Sequence, residues 1–242
     1  MDSETAGKLI ELNHQFYQTF GGEFSATRGR LQPGVMRIVE GLKGDERILD
    51  LGCGNGNLAG ELARRGHRGS YLGLDFSLPL LQAAESQRES LSVAFREGDI
   101  TSDDWDSSLS ASSFDIVFAF AVLHHIPGEQ MRVKLVEKIH RLLVPNGKFI
   151  LSNWQFLSSE KLRSRIQSWE KAGLLPNQVD EGDYLLDWKA GGSGLRYVHH
   201  FSEDELGALG ESTGFKLVDS FYSDGHNHKL GLYQTWEKKS PA

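Results

Sequence analysis

Two carboxylates and a run of alternating glycines stand out in the first third of the chain. An apolar stretch ends in Asp50 and is followed by Gly52, Gly54 and Gly56, and a second apolar stretch ends in Asp75. Glycines allow the backbone to turn tightly and to approach a ligand closely, because they carry no Cβ atom. An acid at the end of the second strand is placed to bind both hydroxyls of a ribose. The pattern therefore predicts a strand, a turn, a helix and a second strand around a nucleoside-containing ligand.

The spacing of these glycines distinguishes between several kinds of turn. A dinucleotide-binding turn has the pattern Gly-x-Gly-x-x-Gly, which would place its third glycine at position 57, where this chain has Asn57. The observed pattern, Asp-x-Gly-x-Gly-x-Gly from Asp50 to Gly56, resembles motif I of the class I S-adenosylmethionine-dependent methyltransferases. A dinucleotide site and a purely structural strand–helix turn are the alternatives.

The resemblance implies a role for each acid at a strand end. Asp50 would reach the ammonium group of the methionine moiety, directly or through water, and Asp75 would bind the ribose hydroxyls. Asp99, which follows the third predicted strand, would accept a hydrogen bond from the adenine amino group. The alternatives are a helix cap for Asp75 and a solvated loop for Asp99. The residues that we predict to bind this cofactor are Asp50, Gly52, Gly54, Gly56, Asn57, Asp75, Phe76, Asp99, Ile100, Ala119 and Phe120.

A pair of histidines follows the fourth predicted strand, where acceptor substrates meet the methyl donor in the methyltransferases that the chain resembles. His124 or His125 could act as a general base near neutral pH, but paired histidines at strand ends are as often structural. The spacing of the chain's histidines is not that of a known set of metal ligands, so we predict no metal site. Cys53 lies within the glycine-rich turn, where we interpret it as a small residue rather than a nucleophile.

Composition limits the classes of protein to which the chain can belong. With 242 residues, 39% of them hydrophobic and 24% charged, we expect one globular domain with a cap or an insertion. The sequence has neither a signal peptide nor an apolar run of about 18 residues, which predicts a cytoplasmic protein that does not span a membrane. A single cysteine excludes an intrachain disulfide. The formal net charge of -7 opposes nucleic-acid binding unless a local basic patch or a partner subunit supplies positive charge.

Apolar periodicity predicts that strands and helices alternate after an N-terminal helical segment. That segment has Leu9, Leu12 and Phe16 at helical spacing, and the Gly21-Gly22 pair should end it before Pro33 begins a second, short helix. The predicted strands are 47–51, 70–75, 92–97, 114–119, 147–154, 215–222 and 230–238. The predicted helices are 57–65, 78–89, 129–143, 158–172 and one that begins with a capping box at 202 and ends at 213.

This alternation is typical of a parallel sheet with helices on both faces, in which ligands bind at the carboxyl ends of the strands. We therefore predict an α/β, Rossmann-like fold with a seven-stranded, mostly parallel sheet, helices on both faces and a C-terminal antiparallel hairpin, plus N-terminal helices and a lid insertion. Residues 1–242 would form a single domain. Its predicted parts are N-terminal cap helices (1–44), a cofactor-binding core (45–154), a substrate-side insertion (155–200), and a final helix and hairpin (201–242).

The resemblance extends to one subfamily, the tRNA wobble-uridine methyltransferases, which esterify a 5-carboxymethyluridine. The segments that are similar to that subfamily are residues 14–17, 24–28, 33–35, 183–188, 195–201 and 219–227. The chain departs from the subfamily's pattern at Glu23, Gln32, Asp187 and His228, where the subfamily has His, Trp, Pro and Trp. These departures fall in substrate-facing segments, so the cofactor chemistry is unaffected and the acceptor stays open.

The chemistry of the acceptor determines which residues it would need. A carboxylate is deprotonated at pH 7, so it requires positioning rather than a general base. Arg28 and Arg196 lie in segments that resemble the subfamily, and a guanidinium can hold a carboxylate with two hydrogen bonds, assisted by Tyr17 and Tyr197. An ordinary surface ion pair is the alternative for each arginine. A hydroxyl acceptor would instead need a base such as His124, and the predicted catalytic residues are Arg28, Arg196, Tyr17 and His124.

Three functional hypotheses follow. The chain could methylate a carboxylate-bearing acceptor in tRNA, which would allow for an activating protein partner. It could be a small-molecule O- or N-methyltransferase, or a catalytically quiet cofactor-binding subunit. A basic face near residues 28–37 and 161–165 would favour tRNA, an enclosed apolar pocket would favour the small molecule, and a blocked acceptor cavity would favour the quiet subunit.

Overall fold

Strands and helices alternate along most of the chain, as the apolar periodicity predicts. The computed structural model describes residues 1–26, 29–87, 92–189 and 192–240, without the side chains of residues 24 and 87. The helices are α1 (Ser3–Ala26), α2 (Pro33–Glu40), α3 (Asn57–Arg64), α4 (Leu78–Ala84), α5 (Glu129–Leu142), α6 (Glu160–Arg163) and α7 (Glu203–Ser212). The strands are β1 (Ile48–Leu51), β2 (Ser70–Asp75), β3 (Ser92–Glu97), β4 (Phe114–Phe120), β5 (Leu143–Trp154), β6 (Ile166–Gln167), β7 (Asp183–Trp188), β8 (Gly194–His199), β9 (Phe215–Ser223) and β10 (Gly231–Lys238).

The order of the strands in the main sheet brings the carboxyl ends of β1, β2 and β4 side by side. The sheet has seven strands in the order β3-β2-β1-β4-β5-β10-β9. β1 pairs in parallel with both β2 and β4, whereas β10 is antiparallel to both of its neighbours, β5 and β9. The predicted Rossmann-like sheet, mostly parallel with an antiparallel C-terminal pair, is confirmed. In such a sheet a ligand site is expected at the carboxyl ends of the parallel strands.

Two apolar layers cover the two faces of this sheet. On β4, Ile116 and Phe118 pack in the layer that contains α2 and α3, and Val117 and Ala119 pack in the layer that contains α5 and α7. Side chains alternate between the faces because the period of a strand is two residues. Each large side chain that is fully buried in these layers contributes about 1.5–3 kcal/mol relative to exposure. Among the described residues, no helix combines the length and the apolar character needed to cross a membrane.

The first predicted boundary that proves wrong is the end of the N-terminal helix. α1 does not stop at the Gly21-Gly22 pair but continues to Ala26. A Cβ on Gly21 would lie 3.1 Å from Oγ of Ser77, so glycine allows α1 to lie close to the start of α4. Burial of α1 against α4 and β8 outweighs the helix propensity cost of about 1 kcal/mol for each glycine.

The prediction of one continuous helix over residues 158–172 is wrong. The helix predicted at 78–89 is present, but its α-helical part ends earlier than predicted. Residues 158–172 contain only the four-residue α6, followed by β6 and a short 3-10 turn. The helix breaks because Ile166 and Gln167 pair with β7 instead. α4 ends at Ala84 and continues as a 3-10 turn to Gln87, and residues 88–89 lie outside the described residues.

The predicted lid insertion, residues 155–200, contains a small antiparallel sheet in the order β6-β7-β8. Asn13 on α1 binds the backbone of β8 in two directions: its Oδ1 accepts from the Tyr197 amide at 2.8 Å, and its Nδ2 donates to the Tyr197 carbonyl at 3.2 Å. These two bonds attach the N-terminal helix to the insertion. The division of the chain into four segments of a single domain stays a prediction.

His199 connects this small sheet to α7 of the main core. Its Nδ1 lies 2.7 Å from Oδ1 of Asp183, and its Nε2 lies 2.8 Å from Oε1 of Glu205. Tyr197 donates a hydrogen bond to the same oxygen of Asp183, and Arg132 lies 3.6 Å from Glu205. Burial lowers the pKa of His199, but its hydrogen bonds with Asp183 and Glu205 outweigh burial, so the pKa is raised overall.

We predict that this connection makes stability depend on pH. Because the folded pKa of His199 is raised, its contribution is fully present below its unfolded pKa of about 6.5 and is lost as the pH rises through the folded value. His199→Gln should lower the free energy of unfolding by about 2 kcal/mol at pH 6, the loss of charge-assisted hydrogen bonds, and by less at pH 9. Urea unfolding at both pH values measures the difference. An equal loss at both pH values would contradict a charged His199.

Candidate active site

A cleft of about 460 Å³ lies at the carboxyl ends of the parallel strands and is partly covered by α1. The turn between β1 and α3 forms its floor, and the ends of β2, β4 and β5 form its sides. Most of the residues predicted from the sequence meet here. Those that line the cleft are Tyr17, Asp50, Gly52, Gly54, Asn57, Asp75, Phe76, Asp99, Ile100, Phe120, His124 and Arg196.

Among the described residues, two of those predicted from the sequence do not line the cleft. A Cβ on Gly56 would lie 2.9 Å from Cβ of Ala84, so Gly56 serves helix packing rather than contact with the cleft. Ala119 is 2% exposed and packs in the core between the sheet and α5. Arg28 lies outside the described residues.

Gly54 differs from Gly56 in what its Cβ would meet. Its φ is +56°, and no heavy atom of the surrounding protein lies within 4 Å of a Cβ built there. Gly56 has φ +74°, and its Cβ would also meet the ring of Phe95 at 3.0 Å. The backbone at Gly54 therefore faces open space in the cleft, where a ligand can approach it closely.

Asp75 both accepts hydrogen bonds from the backbone and lines the cleft. Its Oδ2 accepts a hydrogen bond from the amide of Gly54 at 2.9 Å, and its Oδ1 accepts one from the amide of Ser77 at 2.9 Å. The carboxylate thus fixes the glycine turn and the start of α4 while it lines the cleft. Each oxygen can accept a further hydrogen bond from a ligand. Burial raises the pKa of Asp75, against the backbone hydrogen bonds that lower it.

Asp50 is buried at the floor of the cleft. The hydroxyl of Tyr71 donates a hydrogen bond to its Oδ2 at 2.5 Å. Burial raises the pKa of Asp50 to about 7, and the nearby charge of Asp75 adds to the rise. A desolvated carboxylate in this position would be stabilised by a cationic ligand group.

Both carboxylate oxygens of Asp99 have partners within the protein, so Asp99 is not the solvated loop acid that the sequence left as an alternative. Its Oδ1 accepts hydrogen bonds from the backbone amide and the hydroxyl of Thr101, and its Oδ2 lies 3.4 Å from Nε2 of His14. His14 also stacks on Phe76 with 4.4 Å between the ring centroids. The hydrogen bond with Asp99 raises the pKa of His14. His14 is a cleft residue that sequence reasoning did not single out, although it lies in a segment of subfamily similarity.

Of the two histidines after β4, His124 is buried and His125 is half-buried, and a lowered pKa keeps both neutral near pH 7. The carbonyl of Tyr197 lies 3.1 Å from Nδ1 of His125, so this nitrogen carries the proton and Nε2 accepts from the Tyr17 hydroxyl at 2.9 Å. Burial lowers the pKa of His125 to about 3, and the charge of Arg196 contributes. Burial also lowers the pKa of His124, whose Nδ1 accepts from the Trp154 amide at 3.3 Å. Neither imidazole therefore gains a proton near neutral pH.

Arg196 presents a buried positive charge to the cleft. The residue is 5% exposed, and its guanidinium carbon lies 4.8 Å from the ring centroid of Trp154, 5.4 Å from that of Phe16 and 5.5 Å from that of Trp188. Aromatic faces stabilise a desolvated guanidinium by cation–π interaction. Arg196 is therefore not the ordinary surface ion pair that the sequence left as an alternative.

Asn13 is a residue of the site that sequence reasoning missed. It is 4% exposed and lines the cleft one turn before Tyr17. A signal was present in the sequence, since Asn13 falls four residues after Leu9, on the apolar stripe of α1. The described residues contain no group of three or more His, Cys, Asp or Glu side chains arranged to hold a metal ion.

The sheet and its cleft are those of the S-adenosylmethionine-dependent methyltransferases. The family model of the methyltransferase domain matches residues 42–194, and the chain belongs to this family. A solved S-adenosylmethionine-dependent methyltransferase from Methanosarcina mazei shares the fold with a TM-score of 0.66 at 24% identity, over 87% of this chain and 99% of that one.

Several relatives in sequence are methyltransferases by name. A protein of Encephalitozoon cuniculi named as a methyltransferase is 31% identical over 212 residues, which cover 85% of this chain and 88% of that protein. The tRNA (carboxymethyluridine(34)-5-O)-methyltransferase of Schizosaccharomyces pombe is 25% identical over 88% of this chain and 92% of its own length. The enzyme of that name from Macaca fascicularis is 29% identical over 159 residues, and the match spans 21% of its length.

We predict that the cofactor displaces a proton from Asp50. Because burial raises the pKa of this carboxyl to about 7, a bound ammonium group should stabilise the ionised form and release the proton below that pH. Affinity should therefore rise with pH by up to about tenfold per unit and level off above pH 8. Calorimetry in two buffers of different ionisation enthalpy measures the released proton. Asp50→Asn is the control, and equal proton release in both proteins would contradict the assignment.

A second prediction separates the two glycines of the turn. Alanine at either position should lower the free energy of unfolding by about 1–2 kcal/mol, because both residues have a left-handed backbone conformation. Gly56→Ala should lower the free energy of unfolding by a further 1–3 kcal/mol or so, since its Cβ meets Ala84 and Phe95. Gly54→Ala should instead weaken S-adenosylmethionine binding more than it weakens the fold. Thermal unfolding and binding calorimetry on both variants decide this, and normal cofactor affinity in Gly54→Ala would argue against close approach there.

Proposed function

We propose that this methyltransferase transfers a methyl group to a carboxylate acceptor, with the 5-carboxymethyl group of a wobble uridine in tRNA as the candidate. The observation that carries the proposal is the buried guanidinium of Arg196 in the cleft, beside two histidines that burial keeps neutral. A carboxylate entering the cleft would meet a fixed positive charge and no group that competes for its proton. This arrangement suits a nucleophile that is already ionised.

The residues that line the cleft fit S-adenosylmethionine. The backbone at Gly54 faces open space, the carboxylate of Asp50 suits an ammonium group, and Asp75 retains acceptor capacity for the ribose hydroxyls. Phe76 and Asp99 would lie along the adenosine, and we assign them to its binding. When bound, the cofactor supplies a methyl group that its sulfonium already activates. The protein's own task is then to align the acceptor and to exclude water.

Positioning of the acceptor would rest on Arg196 and its surroundings. A guanidinium can donate two parallel hydrogen bonds to a carboxylate, which fixes the orientation of the nucleophilic oxygen. The rings of Trp154 and Trp188 lie within 4.8 and 5.5 Å of the guanidinium carbon and help to keep this charge in the cleft. Tyr17 already donates its hydroxyl proton to His125. Toward the methyl-accepting substrate, the Tyr17 oxygen would therefore accept a hydrogen bond and not donate one.

Relatives support this choice of acceptor. The similarity to the Schizosaccharomyces pombe tRNA (carboxymethyluridine(34)-5-O)-methyltransferase extends over 88% of this chain. The net charge of -7 and the apolar residues in the cleft, such as Ile10, Leu80 and Leu162, favour a small-molecule acceptor as the second candidate. The catalytically quiet subunit and the activating protein partner stay predictions.

We predict that turnover depends on Arg196 and not on a titrating histidine. Arg196→Lys keeps the positive charge but loses the two parallel N–H donors. We therefore expect kcat/KM to fall roughly 30- to 150-fold, which corresponds to a loss of about 2–3 kcal/mol in transition-state stabilisation. With saturating cofactor, the wild-type rate should stay flat from about pH 6.5 to 8.5 because His125, with a pKa of about 3, remains neutral. The substrate is an anticodon stem-loop RNA carrying 5-carboxymethyluridine.

His124→Asn is the matched variant, since it keeps an amide where the buried imidazole stood, and it should retain most of the rate. A steep rise in rate through pH 7 that disappears in His124→Asn would move the assignment to a hydroxyl acceptor with a general base. Transfer to small carboxylates but not to the RNA would favour the second candidate.

A further inference from the structure

Exposed cations occur in three segments that contribute residues to the cleft. Leu162 on α6 and Leu230 before β10 both line the cleft. Their sequence neighbours Lys161, Arg163 and Lys229 are exposed to solvent. Arg30, also exposed, lines the cleft from the segment before α2. We call these four residues, Arg30, Lys161, Arg163 and Lys229, the cationic rim.

The charges of the rim residues have no carboxylate partner among the residues that the structure describes. Within the described part of the chain, none of the four forms an ion pair with a carboxylate, whereas nearby Arg37 pairs with Asp219 and Lys189 pairs with Asp187. Arg163 donates a hydrogen bond to the carbonyl of Leu157, which supports α6 without removing its charge. Unpaired exposed cations in a chain with a net charge of -7 form a local exception to the charge of the molecule.

Two acidic residues, Glu160 and Asp224, lie in the same segments as rim residues and differ in their exposure. Glu160 is exposed at the start of α6. Asp224 lines the cleft but is buried, and its two oxygens accept from the amide of Gly34 at 3.0 Å and the hydroxyl of Tyr233 at 2.6 Å. Its carboxylate is therefore engaged in holding the connection between β9 and β10 against α2.

Hydrogen bonds hold the part of the rim that carries Lys229 in place. The Ser158 hydroxyl donates to the carbonyl of Lys229 at 3.1 Å, and the side chain of Asn227 donates to the carbonyl of Ser158 at 3.4 Å. The amide of Gln155 donates to the carbonyl of Leu230 at 2.8 Å. The β9–β10 connection and the segment before α6 are thus joined, so little ordering is needed when a ligand binds across them.

We propose that the cationic rim binds the phosphate backbone of RNA and presents one nucleotide to the cleft. The inference deepens the proposed function and rests on it for the choice of RNA. An acceptor small enough to fit within a cleft of about 460 Å³ would not need exposed cations on three separate segments around it. An extended polyanion does, because its phosphates must be neutralised while one base enters the site. The rim thereby supplies a local basic patch on a chain whose net charge is negative.

The test is the salt dependence of RNA binding. Fluorescence anisotropy measures the affinity of labelled unfractionated tRNA between about 50 and 250 mM salt. The rim variant combines Arg30→Ala, Lys161→Ala and Lys229→Ala, and it spares Arg163 because that side chain supports α6. If each cation contacts one phosphate, the slope of log affinity against log salt should become shallower by about 2–3, and affinity at low salt should fall by at least about tenfold.

A matched control removes the same amount of charge near the amino ends of the strands, at the opposite end of the sheet from the cleft. It combines Lys43→Ala, Lys148→Ala and Lys216→Ala. Lys43 precedes β1, Lys148 lies in the first half of β5, and Lys216 is the second residue of β9. These three lysines are exposed and, within the described residues, form no ion pair. The control should bind tRNA with the wild-type slope. An equal loss in both variants would overturn the rim, since net charge alone would then explain binding.

Two further outcomes separate this inference from the proposed function. If the wild type binds no tRNA at about 50 mM salt but methylates free 5-carboxymethyluridine, the rim is overturned and the carboxylate chemistry stands. If the rim variant loses tRNA binding as expected, while the wild type methylates neither the nucleoside nor the anticodon stem-loop, the rim stands and the proposed acceptor falls. Circular dichroism of both triple variants confirms that each is folded.

Discussion

The two hydrogen bonds from Asn13 to the backbone of Tyr197 are the interaction on which the site depends. They hold α1 against β8, and α1 in turn covers the ends of the parallel strands with Ile10, His14 and Tyr17. Because the cleft is covered, its ionisable groups are desolvated. Burial is the largest cause of the raised pKa of Asp50 and of the lowered pKa values of His124 and His125. The bonds of Asn13 thus help to hold the helix that covers these groups.

Within this covered space the charges are arranged by sign. Asp50 and Asp75 lie beside the glycine turn, on the side that suits a cationic cofactor with ribose hydroxyls. Arg196 lies on β8, among the rings of Phe16, Trp154 and Trp188. The neutral His125 stands next to it and adds no charge. A positively charged methyl donor would therefore lie beside the carboxylates, and a negatively charged methyl acceptor would lie beside the guanidinium. The two neutral imidazoles also line the cleft.

The sequence was sufficient for the sheet and for most of the cleft, and insufficient for the parts that depend on distant contacts. Local apolar periodicity predicted the seven strands, because each buries one or both faces in a regular pattern. It could not show that residues 166 and 167 would pair with β7, so 158–172 was interpreted as a helix. The glycine pattern identified the turn, but only the neighbours Ala84 and Phe95 distinguish Gly56 from Gly54. Likewise, the tautomer of His125 follows from its hydrogen bonds with Tyr17 and Tyr197, which come from two other elements, and its low pKa follows from burial and the charge of Arg196.

The position of β10 has a consequence for how the chain folds. β10 comes after β9 in the sequence but lies between β5 and β9 in the sheet. β9 has no place in the sheet until β10 has paired along β5, so β5 keeps an open edge while the chain up to that point is synthesised. Open strand edges are templates for intermolecular pairing. In a nascent chain whose earlier strands have already paired, the edge of β5 would therefore be open to pairing with another chain until β10 is available.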